Sequence, residues 1–177
     1  MKKILTILLL FICLIGFGQR TYYFGGTPLS LTSPSYDEVM INIPGEDVGS
    51  MFGITSIGEP LLNKFTTGNI DVSLHIQYAD ANILTYCTIY RVAEGGTILE
   101  SFSTGATSLT SGTLTFNFSS VSWSAGNITD RFRVDIIFIN TLSGTRSVVY
   151  RTGSGYTSVS KVETPFTEAQ RRIFNIN

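Results

Sequence analysis

Charge, histidine and cysteine are all scarce in this chain. Only 14% of its 177 residues are charged, with twelve basic and thirteen acidic side chains and a formal net charge of -1. No basic stripe is available to displace counterions from a nucleic acid, so nucleic acid is not an expected partner. A single histidine, His75, leaves little material for a Ser-His-Asp or Cys-His centre, and one histidine beside two cysteines is a poor zinc set. Internal repeats of roughly 20 to 50 residues are absent, which argues against solenoids and propellers. Strong helix formers are sparse as well. Disorder is disfavoured, because 43% of the residues are hydrophobic and 12% aromatic.

The one long apolar run stands at the N-terminus. Met1 to Gly18 reads MKKILTILLLFICLIGFG: Lys2 and Lys3 form a basic n-region, Ile4 to Ile15 an apolar h-region, and Gly16-Phe17-Gly18 a small-x-small cleavage site. The run is shorter than the ~20 residues that a membrane-spanning helix needs. It reads as an export signal cleaved before Gln19, similar to bacterial secretory signals of the Gram-negative type; a retained N-terminal anchor is the alternative. Residues 1–18 are thus assigned to a signal peptide and 19–177 to one domain, with no membrane span after signal removal. The expected location is extracellular or at the cell surface. In the remaining 159 residues Ser and Thr supply 40 positions, a composition typical of β-proteins. A domain of that size buries roughly two-thirds of its unfolded surface. Its one cysteine, Cys87, lies in the apolar-rich run ILTYCTIYRV and is expected to be a small buried hydrophobe, since it has no disulfide partner.

Period-two alternation is the strongest positive signal. Ile70, Val72, Leu74, Ile76 and Tyr78 alternate with Asp71, Ser73, His75 and Gln77, which assigns five apolar side chains to one face of a strand. Leu114, Phe116 and Phe118 alternate with Thr115 and Asn117, and Phe132, Val134, Ile136 and Phe138 with Arg131, Arg133 and Asp135. Weaker strands fall at 28–32, 37–43, 84–92, 97–103, 145–151 and 156–162, separated by turn sequences such as Ala79-Asp80-Ala81-Asn82 and Glu94-Gly95-Gly96. Residues 104–112 read as a polar loop and 44–69 as a long one, with a short strand near Met51 to Ile54 as an option. The pattern predicts an all-β fold: an antiparallel β-sandwich of jelly-roll type with about 8–10 strands. Runs 84–92 and 131–140 are apolar on both faces. A sandwich needs one apolar face per sheet, so the surplus is expected under a loop or against another subunit.

Four stretches, taken in order, resemble the C1q/TNF-like jelly-roll family. They are Thr67-Gly68-Asn69-Ile70-Asp71-Val72-Ser73-Leu74; Ile89 to Ile98; Val121-Ser122-Trp123-Ser124-Ala125-Gly126 with Asp130-Arg131-Phe132-Arg133-Val134; and Gly155-Tyr156-Thr157-Ser158-Val159. Asn127, Ile128 and Thr129 stand between Gly126 and Asp130, where the family has the two together. The resemblance covers about residues 67–162 and implies a ten-strand jelly roll, a homotrimer, and use in recognition, adhesion or display.

The chemistry-bearing residues are few. His75 sits at a polar strand position, where a solvated histidine is expected. Asp37-Glu38, Glu46-Asp47 and Asp130/Asp135 are the carboxylates a glycosidase would have to pair. Adjacent strand residues face opposite ways, which separates Asp37 from Glu38, and Arg133 with Asp135 reads as an ion pair on one face. Glu46 and Asp47, in Gly45-Glu46-Asp47-Val48-Gly49, are candidate calcium ligands, with an ordinary acidic turn as the alternative. Trp123, Tyr86, Tyr90 and Tyr156 are candidate sugar-stacking residues, with core or interface packing as the alternative. Trp123 is expected to be exposed, because Ser122, Ser124, Ala125 and Gly126 surround it.

The leading expectation is an exported, non-enzymatic structural or interaction protein. It would be a homo-oligomer at the cell surface or in a fibre or envelope assembly, with a surface glycan or protein as partner and no obligatory cofactor. The alternatives are a carbohydrate-binding module, possible with calcium as a helper, and a virion or phage structural or receptor-binding protein. A hydrolase would require the carboxylates to converge in one cleft.

Overall fold

The computed structural model describes residues 20–24, 37–45, 50–60, 68–123, 129–152 and 160–164. Eleven strands run through them: β1 (Arg20–Tyr23), β2 (Asp37–Ile43), β3 (Ser50–Pro60), β4 (Gly68–Ala79), β5 (Ile83–Val92), β6 (Ile98–Ser103), β7 (Thr107–Ser108), β8 (Gly112–Val121), β9 (Arg131–Asn140), β10 (Arg146–Thr152) and β11 (Lys161–Thr164). Every pairing is antiparallel. The fold is the all-β sandwich of jelly-roll type that the alternation predicts. Among the described residues no helix is long and apolar enough to cross a membrane. The signal segment, the strand expected at 28–32 and the tail after Thr164 lie outside the described residues.

The sheets divide the strands unequally. One sheet runs β1-β11-β4-β10-β2, with β8 added to β4; the other runs β3-β9-β5-β6, with β7 added to β5. β4 is the spine of the first sheet. β8 lies along one edge over Gly68 to Ile76, while β10 and β11 lie end to end along the other, at Ile76–Ala79 and Asp71–Ser73. On that second edge β10 ends at Thr152 and β11 begins at Lys161. Between them the Ser160 hydroxyl accepts the His75 backbone N–H (3.0 Å) and donates to the Arg151 carbonyl (2.8 Å). It bridges β4 to the end of β10, and a hydrogen bond of this kind is worth about 1 kcal/mol.

The core follows from parity. Ile70, Val72, Leu74 and Ile76 of β4 face Phe132, Val134, Ile136 and Phe138 of β9, and none of the eight is more than 1% exposed. Each such side chain stabilises the fold by roughly 1.5–3 kcal/mol on burial. Cys87 is fully buried between Thr85 and Ile89 on the inner row of β5, as expected. Asn140, also fully buried, ties the end of β9 to its neighbours: its Nδ2 donates to the carbonyls of Gly144 (2.7 Å) and Ile43 (3.4 Å). Gly45 packs against the same turn so closely that a Cβ there would stand 1.9 Å from the Gly144 oxygen.

Four expectations are corrected. Tyr78 is not on the inner row: Gln77 is an extra residue between the pairs Ile76–Tyr150 and Tyr78–Val149, and this bulge turns Tyr78 outward. The stretch 50–60 is a full strand, because pairing with β9 orders a segment that its glycines and Pro60 mark as loop. The loop 104–112 contains β7 and buries Leu109 in the core. Trp123 is only 5% exposed: its indole packs against Phe132 (5.8 Å) and Phe102 (6.3 Å).

A buried ion pair joins β5 to the residue before β9. Arg91 Nη1 donates to Asp130 Oδ2 at 3.0 Å, both side chains being under 10% exposed, and Arg91 Nε lies 3.0 Å from Glu100 Oε2. Removing one member of a buried pair strands the other charge. Asp130→Ala is expected to lower unfolding free energy by about 3 kcal/mol in urea titration. Lys161→Ala, which breaks the half-exposed pair with Glu163, is expected to cost under about 1 kcal/mol. Equal costs for the two variants would show that burial does not set the value of the Arg91–Asp130 pair.

Candidate binding surface

Two of the candidate aromatics, Tyr86 and Tyr90, share the outer face of the five-stranded sheet. Residues of even number on β5 point away from the core there, opposite residues of odd number on β9. The cross-strand pairs are Leu84–Ile139, Tyr86–Ile137, Thr88–Asp135 and Tyr90–Arg133. The first two pairs are apolar and half-buried. The doubly apolar runs of the sequence therefore do put a second apolar row outside the core. At the sheet edge Ile98 and Leu99 of β6 are exposed as well, while Phe102, paired with Ile89, belongs to the inner side.

The other two pairs form a polar end. The Arg133 guanidinium stacks 5.1 Å from the centre of the Tyr90 ring and grips Asp135 with two bonds, from Nε to Oδ1 (2.8 Å) and from Nη2 to Oδ2 (2.5 Å). The Asp135 carboxylate holds the Arg133 guanidinium protonated still more firmly than usual. The Thr88 and Ser103 hydroxyls meet at 2.9 Å. This confirms the ion pair expected for Arg133 and Asp135, and shows it half shielded from water.

The candidate set does not assemble into one sugar platform. Tyr86 and Tyr90 are four residues apart on one strand, about 13 Å along it, and Tyr90 is already covered by Arg133. Trp123 lies in the core against Phe102 and Phe132, on the opposite side of the sheet from Tyr90. Tyr156, Glu46 and Asp47 lie outside the described residues. Among the described residues no three His, Cys, Asp or Glu side chains gather as a metal site. The turn Ala79-Asp80-Ala81-Asn82 is held by its own bonds: Asp80 accepts the Ser147 N–H, while Asn82, at φ 66°, offers its carbonyl to the Thr141 hydroxyl.

The residues with catalytic chemistry have structural partners. Asp130 is engaged by Arg91 and Asp135 by Arg133. Glu38 pairs with Arg151 at 3.4 Å. Burial, and secondarily the Asp135 charge, push the Cys87 thiol far above its ordinary range, so it stays protonated and unreactive. His75 is on the outer face of the other sheet, its Nδ1 2.9 Å from the Thr113 hydroxyl. Below it the Ser73–Thr115 (3.1 Å) and Asp71–Asn117 (2.8 Å) contacts continue the same polar ladder. The exposed aromatic that sequence reasoning missed is Tyr78, and the signal that hid it was its perfect fit to the alternation.

No protein-family model matches the chain, and no curated protein matches it. Solved structures do. A CocE/NonD family hydrolase from Staphylococcus aureus is similar at 10% identity over 85% of this chain and 36% of that one, with a TM-score of 0.54. A second structure of that hydrolase gives 0.51, over 83% and 36% of the chains at 10% identity. A structure of infectious bursal disease virus, Gx strain, gives 0.37 at 15% identity, over 76% of this chain and 36% of that one. The chain thus spans about a third of the length of these proteins. At this identity the likeness to the hydrolase is one of fold. None of these proteins is described as a C1q/TNF-like module.

Burial, and secondarily the Arg151 charge, hold the His75 imidazole below its ordinary value of 6.5. As pH falls, the unfolded chain takes up this proton before the folded one does. The contribution of His75 to stability is therefore complete above pH 6.5 and is lost as the pH drops below it. An NMR titration of this single imidazole is expected to give a midpoint below 6.5; a midpoint above that value would contradict the placement of His75 beside Arg151.

Proposed function

We propose that this chain is an exported, non-enzymatic structural or interaction protein that works as a homo-oligomer. It would be displayed at a cell surface or built into a fibre or envelope assembly. The observation that carries the reading is the second apolar row on the two central strands of the five-stranded sheet, Leu84–Ile139 and Tyr86–Ile137. A sandwich core accounts for the inner row alone. A contiguous, half-buried apolar row on the outer side fits a surface that is covered in use. The polar end of the same face, with Tyr90, Arg133 and Asp135, supplies the rim that such an interface has around its apolar centre.

A non-catalytic role is supported by where the reactive side chains go. Cys87, His75, Asp130 and Asp135 are each tied to packing, a hydroxyl or an arginine. Export is supported by the basic, apolar and small-residue order of Met1 to Gly18. A trimer is the order that the C1q/TNF-like resemblance implies.

Light scattering on the purified chain tests the reading. A discrete oligomer is expected for the natural sequence. Ile137→Asp and Tyr86→Asp are each expected to shift it to monomer while the β-sheet circular dichroism is kept. A natural chain that stays monomeric at high concentration would remove the oligomer, and with it the reason for the second apolar row.

A further inference from the structure

The outer face of the other sheet carries a three-by-three grid. On β2, β10 and β4 the first row is Glu38, Arg151 and Gln77, where Arg151 Nε donates to Glu38 Oε1 (3.4 Å) and Gln77 Oε1 (3.2 Å). The second row is Met40, Val149 and Tyr78, in register across the three strands. The third is Asn42, Ser147 and Asp80, where the Ser147 hydroxyl donates to Asn42 Oδ1 at 2.9 Å. One apolar row is thus flanked on both sides by hydrogen-bonding rows.

We propose that this face is a binding platform for a neutral polysaccharide, with the Tyr78 ring as the stacking residue. The bulge at Gln77 exists at the expense of a core position, and what it delivers is an aromatic ring in water: Tyr78 is 50% exposed. That ring is held still. Its hydroxyl donates to Asp80 Oδ1 at 2.5 Å, and Asp80 Oδ2 accepts the Ser147 backbone N–H at 2.6 Å. A ring pinned at its tip gives up little rotamer freedom when a ligand lands on it.

The pattern selects the ligand class. Tyr78, Val149 and Met40 make a strip three strands wide, about 10 Å, which suits two sugar rings laid flat. A pyranose has an apolar C–H face for the ring and hydroxyls at its edge for the polar rows. A protein partner would want a broad apolar centre, and a single row between two polar ones does not supply it. Charge is balanced, since Glu38 is met by Arg151, and the positive charge of Arg146 acts on Asp80. That favours a neutral glycan over an acidic one. The site lies on a different sheet from the proposed oligomer face and stands or falls independently of it.

Affinity electrophoresis of the full chain in native gels containing hydroxyethylcellulose, xylan, galactomannan or laminarin tests the proposal. At least one of these is expected to retard the natural chain. Tyr78→Ala is expected to weaken that retardation about tenfold, and Tyr78→Phe, which keeps the ring and loses the pin, only about threefold. Tyr86→Ala, on the other sheet, is expected to bind like the natural chain. Thermal melts by circular dichroism confirm that each variant is folded. No retardation by any of the four polysaccharides, or equal retardation of Tyr78→Ala, overturns the proposal. So does a Tyr78→Ala variant whose oligomer dissociates while its glycan binding is unchanged, for that would make the face an interface between copies.

Discussion

The pairing of β4 with three other strands is the constraint on which the six-stranded sheet depends. Its twelve residues hold β8 on one edge and both β10 and β11 on the other. Because side chains alternate strictly along a strand, the parity of β4 dictates which residues of its neighbours face inward. Ile70, Val72, Leu74 and Ile76 set the inner row, and Phe116, Phe118, Val148, Tyr150 and Val162 fall into line with it. A slip of one residue at β4 would turn four large apolar side chains into water, at a cost of several kcal/mol for the row. That penalty exceeds what any single surface contact contributes. The one place where parity breaks, at Gln77, is therefore a local feature held by the pairing on either side, and it changes the face of the two residues that follow.

The polar interior plays a different part. Apolar packing is indifferent to fine geometry, whereas hydrogen-bonded and ionic groups are not. Ser160, Asn140 and the Arg91–Asp130 pair sit where the ladders end: at the break between β10 and β11, at the end of β9, and at its start. At each of these points backbone groups would otherwise be stranded or an end left open. Buried ion pairs add little to net stability against an apolar replacement. Their placement at the ends accords with a role in fixing where strands stop.

Much of this was legible in the sequence, and what was not has a common cause. The alternation locates β2 at its full bounds and β4, β5, β8, β9 and β10 to within a few residues at each end. It also puts Tyr86 and Tyr90 on one face, and Arg133 beside Asp135. It could not say which face of β5 is wet, because both rows are apolar. Tyr78 was misplaced because a bulge is a mismatch between two strands, and one strand read alone shows none. Trp123 was misplaced because its neighbours in sequence are small and polar while its neighbours in space, Phe102 and Phe132, are 21 and 9 positions away. Arg91 and Asp130 are 39 positions apart, and neither stands in a pattern that announces the other. Local composition describes the loop, and distant residues decide its burial.

The two outer faces of this sandwich differ in kind, and the difference bears on how one small domain can assemble and still bind. The five-stranded sheet offers apolar pairs with a compact polar end, a texture that suits burial against a matching surface. The six-stranded sheet offers ladders of paired polar side chains around His75 and the Tyr78 grid, a texture already satisfied by its own hydrogen bonds. A face whose polar groups are paired with one another loses less by staying in water than one built of apolar cross-strand pairs, and its single apolar row, Met40, Val149 and Tyr78, is narrow. If the first sheet is covered by assembly, the second remains outward on every copy, and repetition of one weak site across an assembly multiplies its effective affinity without any new contact. The fold achieves this separation by sheet parity alone: each strand gives its inner row to the common core, and the outer rows are free to diverge.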